Sequence, residues 1–266
     1  MKDNIAILGA GNLGLAIGEG IVENKLVNAG QVCLTRRNTE HISAYASKGY
    51  RVFHDNSEAV ELSKIVVLCV QPKQVEGLIH EIKPILTKDH VIVSVITGVE
   101  IEQLKSYLQM DVPVIRCMPN TAVAIGKSMT CIATDENGKP HLELIQSMFE
   151  TVGKTLVIEE RLMKAATVLG ASGIAFFMRY LRAATQGGIQ MGFHPEEAQL
   201  IAVQTAEGAA SLVLENHSHP EVEIDKVTTP EGCTIAGLNE MEHSGLSSAL
   251  IKGLMVSYEK IKNIRA

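Results

Sequence analysis

Glycines 9, 11 and 14 interrupt the apolar run Ile5-Ala-Ile-Leu8, and their spacing is the first feature of the chain that points to chemistry. Between a strand and a helix, GxGxxG makes a tight turn. The first glycine permits the reversal, the second lets backbone N–H groups approach a pyrophosphate, and the third lets helix and strand pack closely. The phosphate charge then meets the positive end of the helix. Leu13, Ile17, Ile21 and Val22 repeat at helical spacing and supply that helix. Thr35-Arg36-Arg37 follows at the end of a second apolar run, roughly 20 residues beyond the turn, where such a site reads the adenosine ribose. An acidic side chain there suits a ribose 2′-hydroxyl, whereas two guanidinium groups and a hydroxyl suit a 2′-phosphate. The residues predict an NADP(H) site, with NADPH preferred and NADH possible.

Other chemistries find little support. Of the nine histidines only His217-Ser-His219 has HxH spacing and none has HExxH spacing, and the five cysteines (33, 69, 117, 131 and 233) form no CxxC pair. No metal is expected, and the thiols read as reduced, in a cytoplasmic protein. No Ser/His/Asp set or carboxylate pair is evident. A net charge of −6, with no basic run longer than Arg36-Arg37, argues against nucleic acid as a partner. The glycine turn arrives too early for a secretory signal. Ala165 to Met178, the longest uncharged stretch of the C-terminal half, is too short to cross a bilayer. A soluble protein without a membrane partner is expected.

The elements that must position these residues alternate. The sequence predicts helix from Asn12 to about Asn24, strand Gln31–Thr35, helix Thr39–Lys48, strand Arg51–Phe53 and a helix starting at Asn56-Ser-Glu58. The continuous apolar runs Ile65–Val70 and Val91–Ile96 read as parallel strands buried on both faces. Pro72 opens the helix between them. Strands Val114–Met118, Met129–Ala133 and Thr155–Ile158 follow, with a polar turn at Asp135–Gly138 and a helix over Pro140–Thr151. The pattern predicts a doubly wound, Rossmann-like α/β domain over residues 1–158, with ligands at the carboxyl ends of its strands. Residues 159–266 read as helices alone: one from Arg161 to about Gly192, one starting at Pro195 and one from Leu246 to Ile264. They carry more apolar surface than a monomer hides. Their glycines and alanines allow close approach, so an all-α domain that forms a homodimer or higher homo-oligomer is expected. Thr228, Thr229 and Thr234 cap a helix or contact a ligand, and residue type alone leaves both readings open.

Several segments, in order, resemble the pyrroline-5-carboxylate reductase family: Gly9 to Gly14, Arg116-Cys-Met-Pro-Asn-Thr121, Gln204-Thr205, His219-Pro220, and Val227-Thr-Thr-Pro-Glu-Gly-Cys-Thr-Ile-Ala-Gly-Leu-Asn-Glu-Met-Glu242. The likeness covers essentially the whole chain. It implies NAD(P)H-dependent reduction of L-1-pyrroline-5-carboxylate to L-proline, the last step of proline biosynthesis, with the imine lying between the nicotinamide and the dimer partner's helical domain. Carried over by position, the cofactor contacts are Gly9, Ala10, Gly11, Asn12, Leu13 and Gly14, then Thr35, Arg36, Arg37 and Asn56, then Cys69, Val70, Gln71 and Pro72, then Val95, Ile96 and Thr97. The implied substrate contacts are Gly232, Cys233 and Thr234 together with Glu160, and Thr234 is the expected catalytic residue. The family's SGSGPAY stands here as Gly170-Ala-Ser-Gly-Ile-Ala-Phe176, and its SPGGTT as Thr229-Pro-Glu-Gly-Cys-Thr234. The rival readings are another imine reductase, a β-hydroxyacid dehydrogenase using Lys164 as proton shuttle, and a non-catalytic NADP(H)-binding sensor.

Overall fold

Consecutive apolar residues along a strand can all be buried only where both faces of the sheet are covered. The computed structural model, which describes residues 3–262, shows that arrangement. In β1 (Ile5–Leu8), Ile5 and Ile7 join the core on one face and Ala6 and Leu8 the core on the other. The chain continues through α1 (Asn12–Glu23), β2 (Val32–Thr35), α2 (Ser43–Ser47), β3 (Arg51–Phe53), α3 (Asn56–Glu61), β4 (Ile65–Leu68), α4 (Val75–Ile82), β5 (Val91–Ser94), α5 (Ile101–Leu108), β6 (Val114–Met118), β7 (Ser128–Thr134), α6 (Leu142–Glu150) and β8 (Gly153–Val157). The sheet order is β3-β2-β1-β4-β5-β6-β7-β8. β1 to β6 are mutually parallel, β7 runs antiparallel to β6, and β8 is parallel to β7. This is the expected Rossmann-like fold.

Local chemistry moves several boundaries. β5 stops at Ser94, short of Ile96, because the Ser94 hydroxyl accepts the Ile96 N–H at 3.3 Å and turns the chain away. The segment 39–47 begins as a 3₁₀ turn, Thr39–Ile42, before α2. The last strand starts two residues earlier than expected, at Gly153, where a Cβ would lie 2.0 Å from the Ser128 carbonyl oxygen. Only glycine permits so close a pairing of β8 with β7.

Beyond β8 the structure is helical: α7 (Met163–Ala166), a π-helical segment Thr167–Ser172, α8 (Gly173–Gln190), α9 (Pro195–Asn216), α10 (Pro220–Val227), α11 (Cys233–His243) and α12 (Leu246–Lys262). The single helix expected from Arg161 to Gly192 is thus interrupted. The Asn120 amide donates to the Gly170 carbonyl at 3.1 Å and the Thr167 hydroxyl donates to the Met163 carbonyl at 2.8 Å, so side chains partner carbonyls in and before this wider turn. Residues 263 and 264, expected in the last helix, lie outside the described residues. The helical stretch Glu160–Gln190 is 31 residues long and passes, by length and composition alone, as able to cross a membrane.

Two compact units emerge, one from residues up to Ser172 plus those from Tyr258 on, the other Gly173–Ser257. Within the second, α8 and α9 approach closely: a Cβ on Gly188 would lie 2.9 Å from that of Ala198. Phe177, Met191, Leu200 and Val256 are 69–78% exposed.

Candidate functional site

The strand order reverses between β1 and β4, and the turn from Gly9 to Gly14 leaves β1 at that point. Its three glycines have different reasons to be there. Gly9 has φ +98°, and a Cβ on it would meet the Cys69 carbonyl oxygen at 2.8 Å. On Gly14 a Cβ would lie 2.8 Å from the Gly9 carbonyl oxygen and 3.0 Å from Ile7 Cγ2. Both are required by packing of the turn on the strand ends. On Gly11 a Cβ would meet nothing within 4 Å, so no internal contact explains this glycine. Gly11 is also the N-cap of α1, offers no side-chain cap, and is followed by a first turn without acidic residues. An uncapped helix end below open space fits the pyrophosphate of a dinucleotide.

The remaining expected cofactor residues cluster on the same edge of the sheet. Thr35 ends β2, Arg36 and Arg37 follow it, and Asn56 opens α3. Cys69, Val70, Gln71 and Pro72 follow β4, and Val95, Ile96 and Thr97 follow β5. Ala10 is buried and ties the turn to β2, its N–H donating to the Thr35 carbonyl at 2.7 Å. Arg36 Nη1 donates to the Ala10 carbonyl at 3.3 Å, and Arg37 is exposed. Burial pushes the Cys69 thiol up to about 12, so it stays protonated beside the turn and adds no anion there.

One of these residues also has a structural role inside the turn. The Thr35 hydroxyl, read from residue type as a donor to a 2′-phosphate, is buried with 1% of the residue exposed. It donates to Asn56 Oδ1 at 2.6 Å and accepts the Gly9 N–H at 3.3 Å. Thr35 therefore braces the glycine turn from beneath. The second partner of Asn56, Glu81 on α4, was missed by sequence reasoning; both of its carboxylate oxygens accept from Asn56 Nδ2 at 3.1 Å. Nothing local in the sequence signals a contact across 25 residues.

Glu160 also has a defined place. Its Oε1 accepts from Arg116 Nη1 at 2.9 Å and from the Ile101 N–H, the first helical residue of α5, at 2.7 Å. Arg116 is 2% exposed, so this carboxylate partners a buried guanidinium and ties β6 to the start of α5. Lys164, the proton shuttle that a hydroxyacid dehydrogenase requires, is paired with Glu100 at 2.7 Å, and that hydrogen bond lowers the Glu100 carboxyl below its ordinary range. A lysine so engaged is poorly placed to shuttle protons.

In the second unit, Gly232, Cys233 and Thr234 begin α11, with Gly232 as N-cap. The Gly232 N–H donates to the Thr229 carbonyl at 2.9 Å, closing a turn over Thr229-Pro-Glu-Gly232 in which Glu231 has φ +58°. A Cβ on Gly232 would meet Thr229 Oγ1 at 2.5 Å. The threonines do not cap α11: the Thr228 hydroxyl donates to the Asp225 carbonyl at the end of α10, and Thr234 sits within the first turn of α11, half-buried. Cys233 is exposed.

A doubly wound sheet with a GxGxxG turn at its switch point, followed by a helical C-terminal region, is the architecture of a dinucleotide-binding protein, the class to which NAD(P)-dependent oxidoreductases belong. Comparison with known proteins narrows the class. The family profile described as "Pyrroline-5-carboxylate reductase dimerisation" matches residues 160–264, and the one described as "NADP oxidoreductase coenzyme F420-dependent" matches residues 4–98. Pyrroline-5-carboxylate reductase 1 of Dictyostelium discoideum is 47% identical over 99% of this chain, which spans 50% of that relative's length. Pyrroline-5-carboxylate reductase 2 of the same organism is 45% identical over 99% of this chain and 93% of its own length. The crystal structure of Plasmodium falciparum pyrroline carboxylate reductase with NADP bound superposes with a TM-score of 0.89 at 20% identity, covering 98% of this chain and 97% of that one. The chain belongs to the pyrroline-5-carboxylate reductase family.

Proposed function

We propose that this chain reduces L-1-pyrroline-5-carboxylate to L-proline with NADPH as preferred donor and NADH as second donor. Membership of the family along the whole chain supports the reaction, and the observation that carries the cofactor reading is Gly11, whose missing side chain answers to nothing inside the protein. In this reading residues 1–158 bind the dinucleotide through the glycine turn and the ends of β2, β4 and β5. Residues 159–266 dimerise and hold the imine. The exposed apolar side chains of α8, α9 and α12 support a shared helical interface in a homodimer or higher homo-oligomer. The assembled enzyme is soluble and cytoplasmic.

Reduction of a C=N bond whose nitrogen is already protonated needs positioning more than proton transfer. When bound, the reduced nicotinamide supplies the hydride. The turn Thr229–Gly232 and the first turn of α11 present backbone N–H groups to the substrate carboxylate, and the Thr234 hydroxyl hydrogen-bonds the ring nitrogen or that carboxylate without changing charge. Ile174 and Phe176, where the family usually has proline and tyrosine, supply no proton that the iminium lacks.

The test is a steady-state assay of proline formation from the imine with each reduced cofactor. Thr234→Ala lowers kcat/KM for the imine by roughly 10- to 1000-fold, the range for one preorganised hydrogen bond, with NADPH affinity unchanged. Tight NADPH binding without proline formation makes the protein a cofactor sensor or an enzyme for another imine, and unchanged turnover in Thr234→Ala removes that residue from catalysis.

A further inference from the structure

The hydrogen bonds beneath the glycine turn run in one direction, and Glu81 sets that direction. A carboxylate only accepts, so the Asn56 amide must present its NH₂ group to Glu81, at 3.1 Å from both oxygens. Its carbonyl oxygen then faces Thr35 and receives the only hydroxyl proton, at 2.6 Å. The Thr35 oxygen is left to accept from the Gly9 N–H at 3.3 Å. Neither Thr35 nor the carbonyl end of Asn56 can donate to a phosphate oxygen, while Asn56 Oδ1 keeps the capacity to accept from a ribose hydroxyl. The same rim carries Arg36, held by the Ala10 carbonyl, and the exposed Arg37. Opposite signals therefore meet where the adenosine ribose is read: a cationic pair that suits a 2′-phosphate, and a carboxylate on α4 that repels one.

We infer that Glu81, acting through Asn56, limits how strongly this site discriminates NADPH from NADH. It is a specificity-determining positioning residue, and the inference rests on the cofactor site proposed above. An acid placed at the end of the second strand selects a ribose 2′-hydroxyl in many dinucleotide sites. Here that position is Thr35, and the acid arrives instead from α4, one amide removed. At that remove it does not exclude a 2′-phosphate but lowers the advantage that the two arginines confer.

Glu81→Gln removes the charge and lets the Asn56 amide turn over. Dissociation constants for NADPH, NADH, 2′,5′-ADP and 5′-AMP, measured by calorimetry, read the effect without catalysis. The variant binds NADPH and 2′,5′-ADP about three- to tenfold more tightly than the parent, binds NADH and 5′-AMP within about twofold of it, and loses the difference in high salt. Glu81→Lys enlarges the shift in the same direction. A merely structural role for Glu81 would move all four ligands together and lower the melting temperature, and that result overturns the inference, as does an unchanged NADPH-to-NADH ratio in Glu81→Gln. Arg36→Ala/Arg37→Ala separates the two levels. If that variant loses NADPH selectively while Glu81→Gln changes nothing, the role of Glu81 fails and the cofactor site stands. If neither variant alters the ratio, the adenosine end binds elsewhere and both fail.

Discussion

Gly11→Ala separates the cofactor role of the turn from its folding role. The residue has φ −89° and ψ −163°, a conformation that alanine adopts without strain, and the added methyl would find no heavy atom within 4 Å. Loss of backbone freedom in the unfolded chain then leaves stability unchanged or raised by roughly 0.4–1 kcal/mol, a shift of no more than about 4 °C in Tm for a chain of this size. Binding responds differently, because the methyl occupies the space through which a pyrophosphate reaches the first-turn N–H groups. Losing one charge-assisted hydrogen bond costs about 2 kcal/mol, roughly a 30-fold increase in Kd for NADPH. Gly14→Ala is the contrast: its Cβ would lie 2.8 Å from the Gly9 carbonyl oxygen, a backbone atom that cannot move aside cheaply, and overpacking of this kind costs about 1–3 kcal/mol of stability. Thermal melting and calorimetric NADPH titration of both variants decide the matter. A Gly11→Ala protein that keeps its parent affinity, or that melts more than about 5 °C lower, refutes the assignment of this glycine to the pyrophosphate.

Replacing Arg36 and Arg37 by alanine raises the Michaelis constant for NADPH far more than for NADH, and equal effects on the two would remove both residues from 2′-phosphate recognition. Glu160→Ala leaves the guanidinium of Arg116, 2% exposed, without its partner and costs about 3 kcal/mol in a denaturant melt without substrate. A Glu160 that only contacts substrate would leave that melt unchanged. Glu231→Gly relieves a left-handed backbone at φ +58° and stabilises the protein by up to about 1 kcal/mol, seen as a higher Tm. A lower Tm would show that the Glu231 side chain contributes more than its backbone costs.

Glycine spacing, apolar runs and alternation were legible in the chain itself. Each is a near-neighbour property: Gly9 must turn, Ile65–Leu68 must be covered on both faces, and Pro195 must open a helix. Those features determined the doubly wound sheet, the place of the turn at its switch point and the helical region beyond. They could not determine what Thr35 does, because its burial depends on β3, β1 and α3 closing around it, and the direction of its hydroxyl on a carboxylate in another helix. The Arg116–Glu160 pair spans 44 residues and exists only once β6 and the turn after β8 are brought together. The break at Thr167–Ser172 depends likewise on Asn120 reaching the Gly170 carbonyl from a different loop. Residue type and spacing set which groups are available. Which of them are buried, and which way their protons point, follows from contacts between segments far apart in the chain, and only the tertiary structure decides those.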